Sequence, residues 1–310
     1  FDGVHRGHAA IVARARALAR ERSARVIALA FDPHPASVLR PGTEPARLTT
    51  FAQRERLLKA AGADEVIRLT PEPRLLGMSP EEFVRDVLGP LRPVAVVEGP
   101  DFRFGKGRAG DLCTLAALGR AAGFDVHTVE PVEVALSDHT VAPASSTLVR
   151  WMLSHGRVTD AARLLGRAYE LEGEVVRGDQ RGRELGFLTA NLRTECMVPA
   201  DGIYAGMGAL PDGRAFPAAI SVGTKPTFGE HARAVEAHLI LGPGRGHPGS
   251  PAPLSAGVPG YGWTLRLSFT AWLRDQARFD SAPELVDQIA RDCERAAALS
   301  PPTPELLACP

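Results

Sequence analysis

SSTLVR (residues 145–150) and GRELGFLTANL (residues 182–192) bracket the stretch in which the character of the chain changes. The first piece reads as a helix start. Ser145, Ser146 and Thr147 offer hydroxyls where free backbone N–H groups and the helix dipole already favour an anion. Arg150 follows one turn later with a fork that fits phosphate oxygens. In the second piece Gly178, Gly182 and Gly186 punctuate a polar segment, and Arg183 adds a cation. Closely spaced glycines let backbone approach a ligand. The segment ends in Thr189-Ala190-Asn191, whose hydroxyl and amide share one side of an extended chain. Taken singly, the two pieces also read as an ordinary helix cap and a glycine-rich hairpin.

On the N-terminal side of this stretch, helix and strand alternate. Residues 1–8, FDGVHRGH, place His5 and His8 one turn apart at the head of a helix with apolar Ile11, Ala15 and Leu18. Imidazoles there can bond phosphate oxygens beside the dipole. With no third ligand nearby, zinc is not indicated. The apolar run Val26–Phe31 reads as a strand buried on both faces. It stops at Asp32-Pro33-His34-Pro35, because proline cannot continue a ladder. Helical Phe51–Ala61, strand-like Glu65–Leu69, a capping box at Ser79, a strand at Val94–Val97, helical Leu112–Ala122 and a strand at Phe124–Val129 keep the rhythm. A βα rhythm of this kind predicts a doubly wound parallel sheet of the Rossmann type. GPDFRFGK (residues 99–106) is not a P-loop. Five residues separate Gly99 from Gly105 where four are needed, and Gly107 stands where a magnesium-binding hydroxyl belongs.

On the C-terminal side, strands dominate. After short helices around Gly156, extended segments are expected at Tyr169–Arg177, Ile203–Leu210, Ala218–Val222, Val235–Leu241 and Leu265–Leu273, separated by Gly and Pro turns. This pattern predicts an antiparallel barrel. Ala282–Ala298 is amphipathic, with Leu285, Ile289 and Cys293 on one stripe, and is expected to plug or flank the barrel. Residues 242–260, rich in Gly and Pro, read as a disordered insertion, and residues 301–310 as a disordered tail. The seam falls near residue 166, which gives domains 1–166 and 167–300. The chain begins at Phe1, inside its first motif, so a first strand is expected to be missing from the N-terminal domain.

Composition excludes several classes. Lys+Arg 36 balance Asp+Glu 36 over 310 residues, so no global basic field draws nucleic acid or an anionic membrane. No apolar run reaches spanning length. The four cysteines form no CxxC pair, which argues against a disulfide scaffold or zinc knuckle and fits a reducing cytoplasm.

Eight motifs occur in order: FDGVHRGH, FDPHP, GPDFRFG, SSTLVR, GRELGFLTANL, PADGIYAG, SVGTKPTFG and VEAHL. Together they resemble those of the prokaryotic bifunctional riboflavin kinase/FAD synthetases. The resemblance implies that the chain makes FMN from riboflavin and ATP, then FAD from FMN and a second ATP. The second step belongs to the N-terminal domain. It further implies small-molecule substrates, namely ATP, riboflavin and FMN, and Mg2+ as cofactor. His5, His8, Ser145, Ser146, Thr147 and Arg150 are implied phosphate contacts. Phe31, Pro33, His34, Pro35, Asp101, Phe102 and Phe104 are implied to border flavin and nucleotide. The glycine loop of the kinase is implied at Gly178, Gly182, Arg183 and Gly186. Thr189 and Asn191 are implied to hold Mg2+ and phosphates, and Glu236 to be the kinase base. Two features depart from the family: Leu188 replaces a proline, and residues 242–260 replace a short acidic connection. A kinase with an impaired N-terminal domain, and a flavin-binding protein without turnover, are the competing readings. The oligomeric state is not readable.

Overall fold

Helix-forming and strand-forming runs alternate from the start of the chain, and the backbone follows them. The computed structural model describes residues 1–178, 189–224, 233–240 and 261–300. Gly182, Arg183, Gly186, Leu188, the expected insertion at 242–260 and the expected tail at 301–310 lie outside the described residues. Two units form, one comprising Phe1–Ala46, Phe51–Val134 and Val141–Ser145, the other Arg47–Thr50, Ala135–Thr140 and Ser146–Pro310.

The first unit opens with helix α1 (Arg6–Glu21) and strand β1 (Ile27–Phe31), then α2 (Ala36–Leu39), α3 (Phe51–Ala60) and β2 (Glu65–Leu69). Next come α4 (Pro73–Leu76), α5 (Pro80–Phe83), β3 (Ala95–Glu98), α6 (Leu112–Ala122) and β4 (Asp125–Thr128). Parallel pairing, expected from the βα rhythm, is present: β1 pairs β2 and β3 pairs β4, as two two-stranded sheets. β1 is not buried evenly on both faces. Ala28 and Ala30 are buried while Ile27, Leu29 and Phe31 are half-buried, because Ala28 packs into the cluster of Val12, Ala19 and Leu58 and Leu29 only borders a second one around Phe83 and Phe104. The capping box forms as expected. The Ser79 hydroxyl accepts from the Glu82 amide, and the Glu82 carboxylate accepts from the Ser79 amide. Such a cap contributes about 1 kcal/mol. Arg22, at the end of α1, donates to the Val94 carbonyl at 3.0 Å and to Asp125 at 2.7 Å, tying α1 to the second strand pair. A hairpin of β5 (Glu133–Ala135) and β6 (Val141–Pro143), not foreseen from sequence, ends this part of the chain.

In the second unit, α7 (Ser146–Ser154) and α8 (Val158–Leu165) precede the barrel. Residues 146–150 of SSTLVR and Trp151–Leu153 lie in one helix, α7, with Ser145 just before it. Buried Asp160 on α8 accepts from the Ser137 amide and hydroxyl, each at 2.7 Å, and from Arg157 at 2.8 Å. These bonds pin the segment after β5 to α8. Then follow β7 (Tyr169–Val176), β8 (Thr189–Arg193), β9 (Gly202–Ala209), β10 (Ala215–Thr224), β11 (Arg233–Leu239), β12 (Thr264–Arg274) and α9 (Ala282–Leu299).

Six antiparallel strands close in the order β10-β11-β8-β7-β12-β9. Every second residue points inward. Leu171, Tyr204, Ile220, Leu267 and Phe269 are fully buried, and Tyr204 meets Phe269 edge-on with centroids 5.4 Å apart. α9 flanks the barrel rather than plugging it. Ala296 packs on Ala205 and Leu273 on the outside of the strands. The helix also carries a buried acid that its apolar stripe conceals. Asp292 accepts from Arg274 Nε at 3.1 Å and Nη2 at 2.7 Å, and from Gln288 at 3.0 Å.

Candidate active sites

The barrel brings its expected residues together through strand register. Asn191 on β8 lies directly opposite Glu236 on β11, and Thr189 opposite His238. Glu236 in turn lies opposite Ser221 on β10. The intervening residues Ala190, Ala237 and Ile220 are buried in the barrel interior. By alternation, Thr189, Asn191, Ser221, Glu236 and His238 all project from the outer face. Opposed side chains on neighbouring strands start about 5 Å apart, close enough to share one ligand.

Asn191 is 7% exposed, and its Oδ1 is buried with no hydrogen-bond partner among the described residues. An unsatisfied buried amide oxygen costs about 1–3 kcal/mol. Its surroundings are tight: a Cβ at Gly178 would lie 2.2 Å from Asn191 Nδ2, so only glycine lets the β7 end pass this amide. That is one physical use for a glycine of the expected loop. An orphaned amide oxygen beside a hydroxyl is a hard donor pair of the kind Mg2+ accepts when phosphates and waters complete its shell. No group of three or more His, Cys, Asp or Glu capable of holding a metal occurs among the described residues. The donor set therefore fits a cation shared with phosphate, and not a closed protein site.

Two barrel residues escaped the sequence reading. Gln276, just after β12, donates to the Val222 carbonyl at 2.8 Å and to Ser221 Oγ at 3.4 Å. It lies against bare backbone, since a Cβ at Gly223 would meet its Nε2 at 2.1 Å. His238 is buried at 8% exposure beside the Thr189 position. Its place in VEAHL, two residues from Glu236, was the available signal.

In the first unit, His5 caps α1 and His8 follows on its first turn. Their rings stack with centroids 3.7 Å apart, and the Phe1 ring lies 5.0 Å from His8. Phe31 ends β1, and Asp32, Pro33, His34 and Pro35 follow at its carboxyl end, the edge where parallel sheets bind ligands. The Ala36 amide donates to His34 Nδ1 at 3.1 Å, which leaves Nε2 as the proton-bearing nitrogen of a neutral ring. In the loop after β3, Asp101 is exposed, Phe102 half-buried and Phe104 buried. Phe104 stacks on Phe102 at 5.5 Å and tilts against Phe83 at 5.7 Å. It anchors the loop that presents Asp101.

Sequence reading also missed Arg54 on α3, which is 5% exposed. It donates to the Phe31 carbonyl at 2.8 Å and lies 3.3 Å from Asp2 and 3.8 Å from Asp32. Arginine in an arginine-rich helix gave no signal of burial. The SSTLVR hydroxyls open α7 as expected: Ser145 precedes it, Ser146 is its first residue, Thr147 is exposed, and Arg150 is half-buried one turn on. From Ser146 onward they belong to the second unit.

Residues 1–142 match the family model for FAD synthetase and residues 165–300 that for riboflavin kinase. The chain is 33% identical over 298 residues to the bifunctional riboflavin kinase/FMN adenylyltransferase of Escherichia coli (strain K12), covering 94% of this chain and 88% of that protein. The chain belongs to the bifunctional riboflavin kinase/FMN adenylyltransferase family. The enzyme of the same name from Pseudomonas fluorescens is 34% identical over 98% of this chain and 92% of its own length. Among solved structures, one described as a macrolide-efflux protein from Streptococcus pneumoniae is similar at a TM-score of 0.79 and 27% identity, over 96% of this chain and 91% of that one. No helix among the described residues is long and apolar enough to cross a membrane.

Proposed function

We propose that the two steps of this bifunctional enzyme are divided along the chain, with adenylyl transfer assigned to residues 1–166 and riboflavin phosphorylation to residues 167–300. Its substrates are ATP, riboflavin and FMN. Among the described residues, Cys113, Cys196 and Cys293 are free thiols, which supports a cytoplasmic setting.

For phosphorylation, Glu236 takes the proton of the terminal ribityl hydroxyl as that oxygen attacks the γ-phosphorus of ATP. The new O–P bond forms as the bond to the β-phosphate oxygen breaks, and ADP leaves. Thr189 and Asn191 would hold Mg2+, which when bound would neutralise phosphate charge. Gly178 lets backbone approach the phosphates; Gly182, Arg183 and Gly186 are assigned to the same role on the motif alone. The observation that carries this reading is the register: a carboxylate lies directly opposite an amide whose buried oxygen lacks a partner among the described residues.

For adenylyl transfer, a phosphate oxygen of FMN attacks the α-phosphorus of ATP and pyrophosphate leaves. No side-chain nucleophile is required, so the protein supplies position and positive charge. His5 and His8 are assigned to phosphate, as are Ser145, Ser146, Thr147 and Arg150 on the chemistry of their helix start. Phe31, Pro33, His34 and Pro35, with Asp101, Phe102 and Phe104, border flavin and nucleotide.

Incubation with riboflavin, ATP and Mg2+, with FMN and FAD resolved by chromatography, tests the assignment. Both products are expected in sequence. FMN alone would leave a kinase, and neither product would leave a flavin binder.

A further inference from the structure

The contacts of Arg54 converge on the loops that carry the FDGVH histidines and the PHP segment. Its Nη2 lies 3.3 Å from Asp2 Oδ1, three residues before His5. Its Nη1 donates to the Phe31 carbonyl at 2.8 Å and lies 3.8 Å from Asp32 Oδ1, two residues before His34. The side chains of Arg54, Asp2 and Asp32 are 6%, 15% and 9% exposed. A cation this deeply covered between two carboxylates is closed to a phosphate. At the rim, Arg68 approaches Asp32 Oδ2 at 3.8 Å and lies 4.0 Å over the Phe51 ring, which screens the cluster from solvent.

We infer that Arg54 is a positioning residue for adenylyl transfer: from α3 it locks the loop before His5 and the loop before His34 into one geometry. The inference rests on the assignment of these loops to nucleotide binding. The physical argument is that a planar fork spans two loops only in one mutual placement, so loss of the fork frees both together. A displacement of about 1 Å at reacting groups costs on the order of a hundredfold in rate, so even partial loosening is measurable.

Removing Arg54 alone takes the cation from between two largely buried carboxylates and risks unfolding, whereas neutralising all three partners is close to neutral for stability. The test therefore uses the full chain with Arg54→Lys, Arg54→Met, and the triple variant Arg54→Met/Asp2→Asn/Asp32→Asn. FAD formation from supplied FMN and ATP is resolved into kcat and KM, riboflavin phosphorylation by the same preparations is the control, and thermal unfolding and amide hydrogen exchange are followed. The triple variant is expected to regain the unfolding temperature lost in Arg54→Met while its kcat for FAD formation stays down by about tenfold or more. Lysine restores the charge without the fork, so Arg54→Lys is expected to recover stability ahead of kcat. Phosphorylation stays within about twofold throughout, because Arg54, Asp2 and Asp32 belong to the first unit and the barrel to the second. Amides of Asp2–His5 and of Phe31–His34 exchange faster together in Arg54→Met and in the triple variant. Wild-type kcat in the triple variant, or faster exchange in only one loop, overturns the inference. Should the unsubstituted chain form no FAD, the adenylyl assignment itself fails, and the exchange data alone decide whether Arg54 locks the loops.

Discussion

The barrel and the N-terminal unit hold their site residues by different means. On the barrel, Thr189, Asn191, Glu236 and Ser221 are placed by a hydrogen-bonded ladder, and their spacing follows from register. In the N-terminal unit, His5 and His34 stand on loops outside the strands, and a buried side-chain cluster around Arg54 links those loops. A ladder spreads the cost of positioning over many backbone bonds. An ion cluster concentrates it in one residue. The first arrangement should tolerate changes near the site that the second does not, while both remain sensitive at the reacting groups themselves.

The largest effect is expected at the kinase base. Glu236→Gln keeps shape but accepts no proton, so FMN formation should fall by about a hundredfold or more, the usual scale for removing a general base. FAD formation from supplied FMN should persist. Near-normal phosphorylation in this variant removes Glu236 from the mechanism and leaves the register an incidental feature of the strands.

Next is the helix that flanks the barrel. Asp292→Asn removes the charge that Arg274 meets with two nitrogens on a buried partner. A loss of about 2 kcal/mol in urea unfolding is expected, the scale of a charged hydrogen bond. If the ladder alone fixes the kinase site, FMN formation by the folded fraction stays unchanged, and a fall in kcat would show that α9 helps to place it. Smaller again is Gly178→Ala, whose Cβ would force the Asn191 amide to move. We expect KM for Mg-ATP in the kinase step to rise on the order of tenfold with little change in melting temperature. Unchanged KM would break the link between this glycine and the metal donors.

The smallest effects are expected from single phosphate contacts of adenylyl transfer. His8→Ala and Arg150→Ala should each lower FAD formation by roughly five- to tenfold, about 1 kcal/mol, the net scale of a typical hydrogen bond. FMN formation should remain near wild type. Equal loss of both activities in a folded variant contradicts the division of labour.

Much of this was legible in the sequence for physical reasons that can be named. Leu265, Leu267 and Phe269 alternate with polar partners, and period two is what a half-buried strand requires. Thr189 and Asn191 two residues apart had to share a face once the segment was extended. Only the motif resemblance singled out Glu236, whose local pattern alone favours an outward surface glutamate. Arg54 was invisible because it sits in the charged run Arg54-Glu55-Arg56 of its helix, and only the fold shows which arginine meets Asp2 and Asp32. Asp292 was hidden in the same way behind the stripe of Leu285, Ile289 and Cys293. Gln276 carries no pattern at all. Its role depends on the bare backbone of Gly223, more than fifty residues earlier in the chain. Buried polar partners are long-range pairings, and no local period encodes them.

The central claim is that two sets of residues perform two separable steps linked by free FMN. Mixing two defective full-length variants tests it most directly: Glu236→Gln, lacking phosphorylation, and His5→Ala/His8→Ala, lacking adenylyl transfer. Supplied with riboflavin, ATP and Mg2+, neither variant alone should accumulate FAD. The mixture should, because FMN released by the second variant is adenylylated by the first. FAD from riboflavin with Glu236→Gln alone, or no FAD from the mixture when each variant retains its remaining single step, would contradict the account.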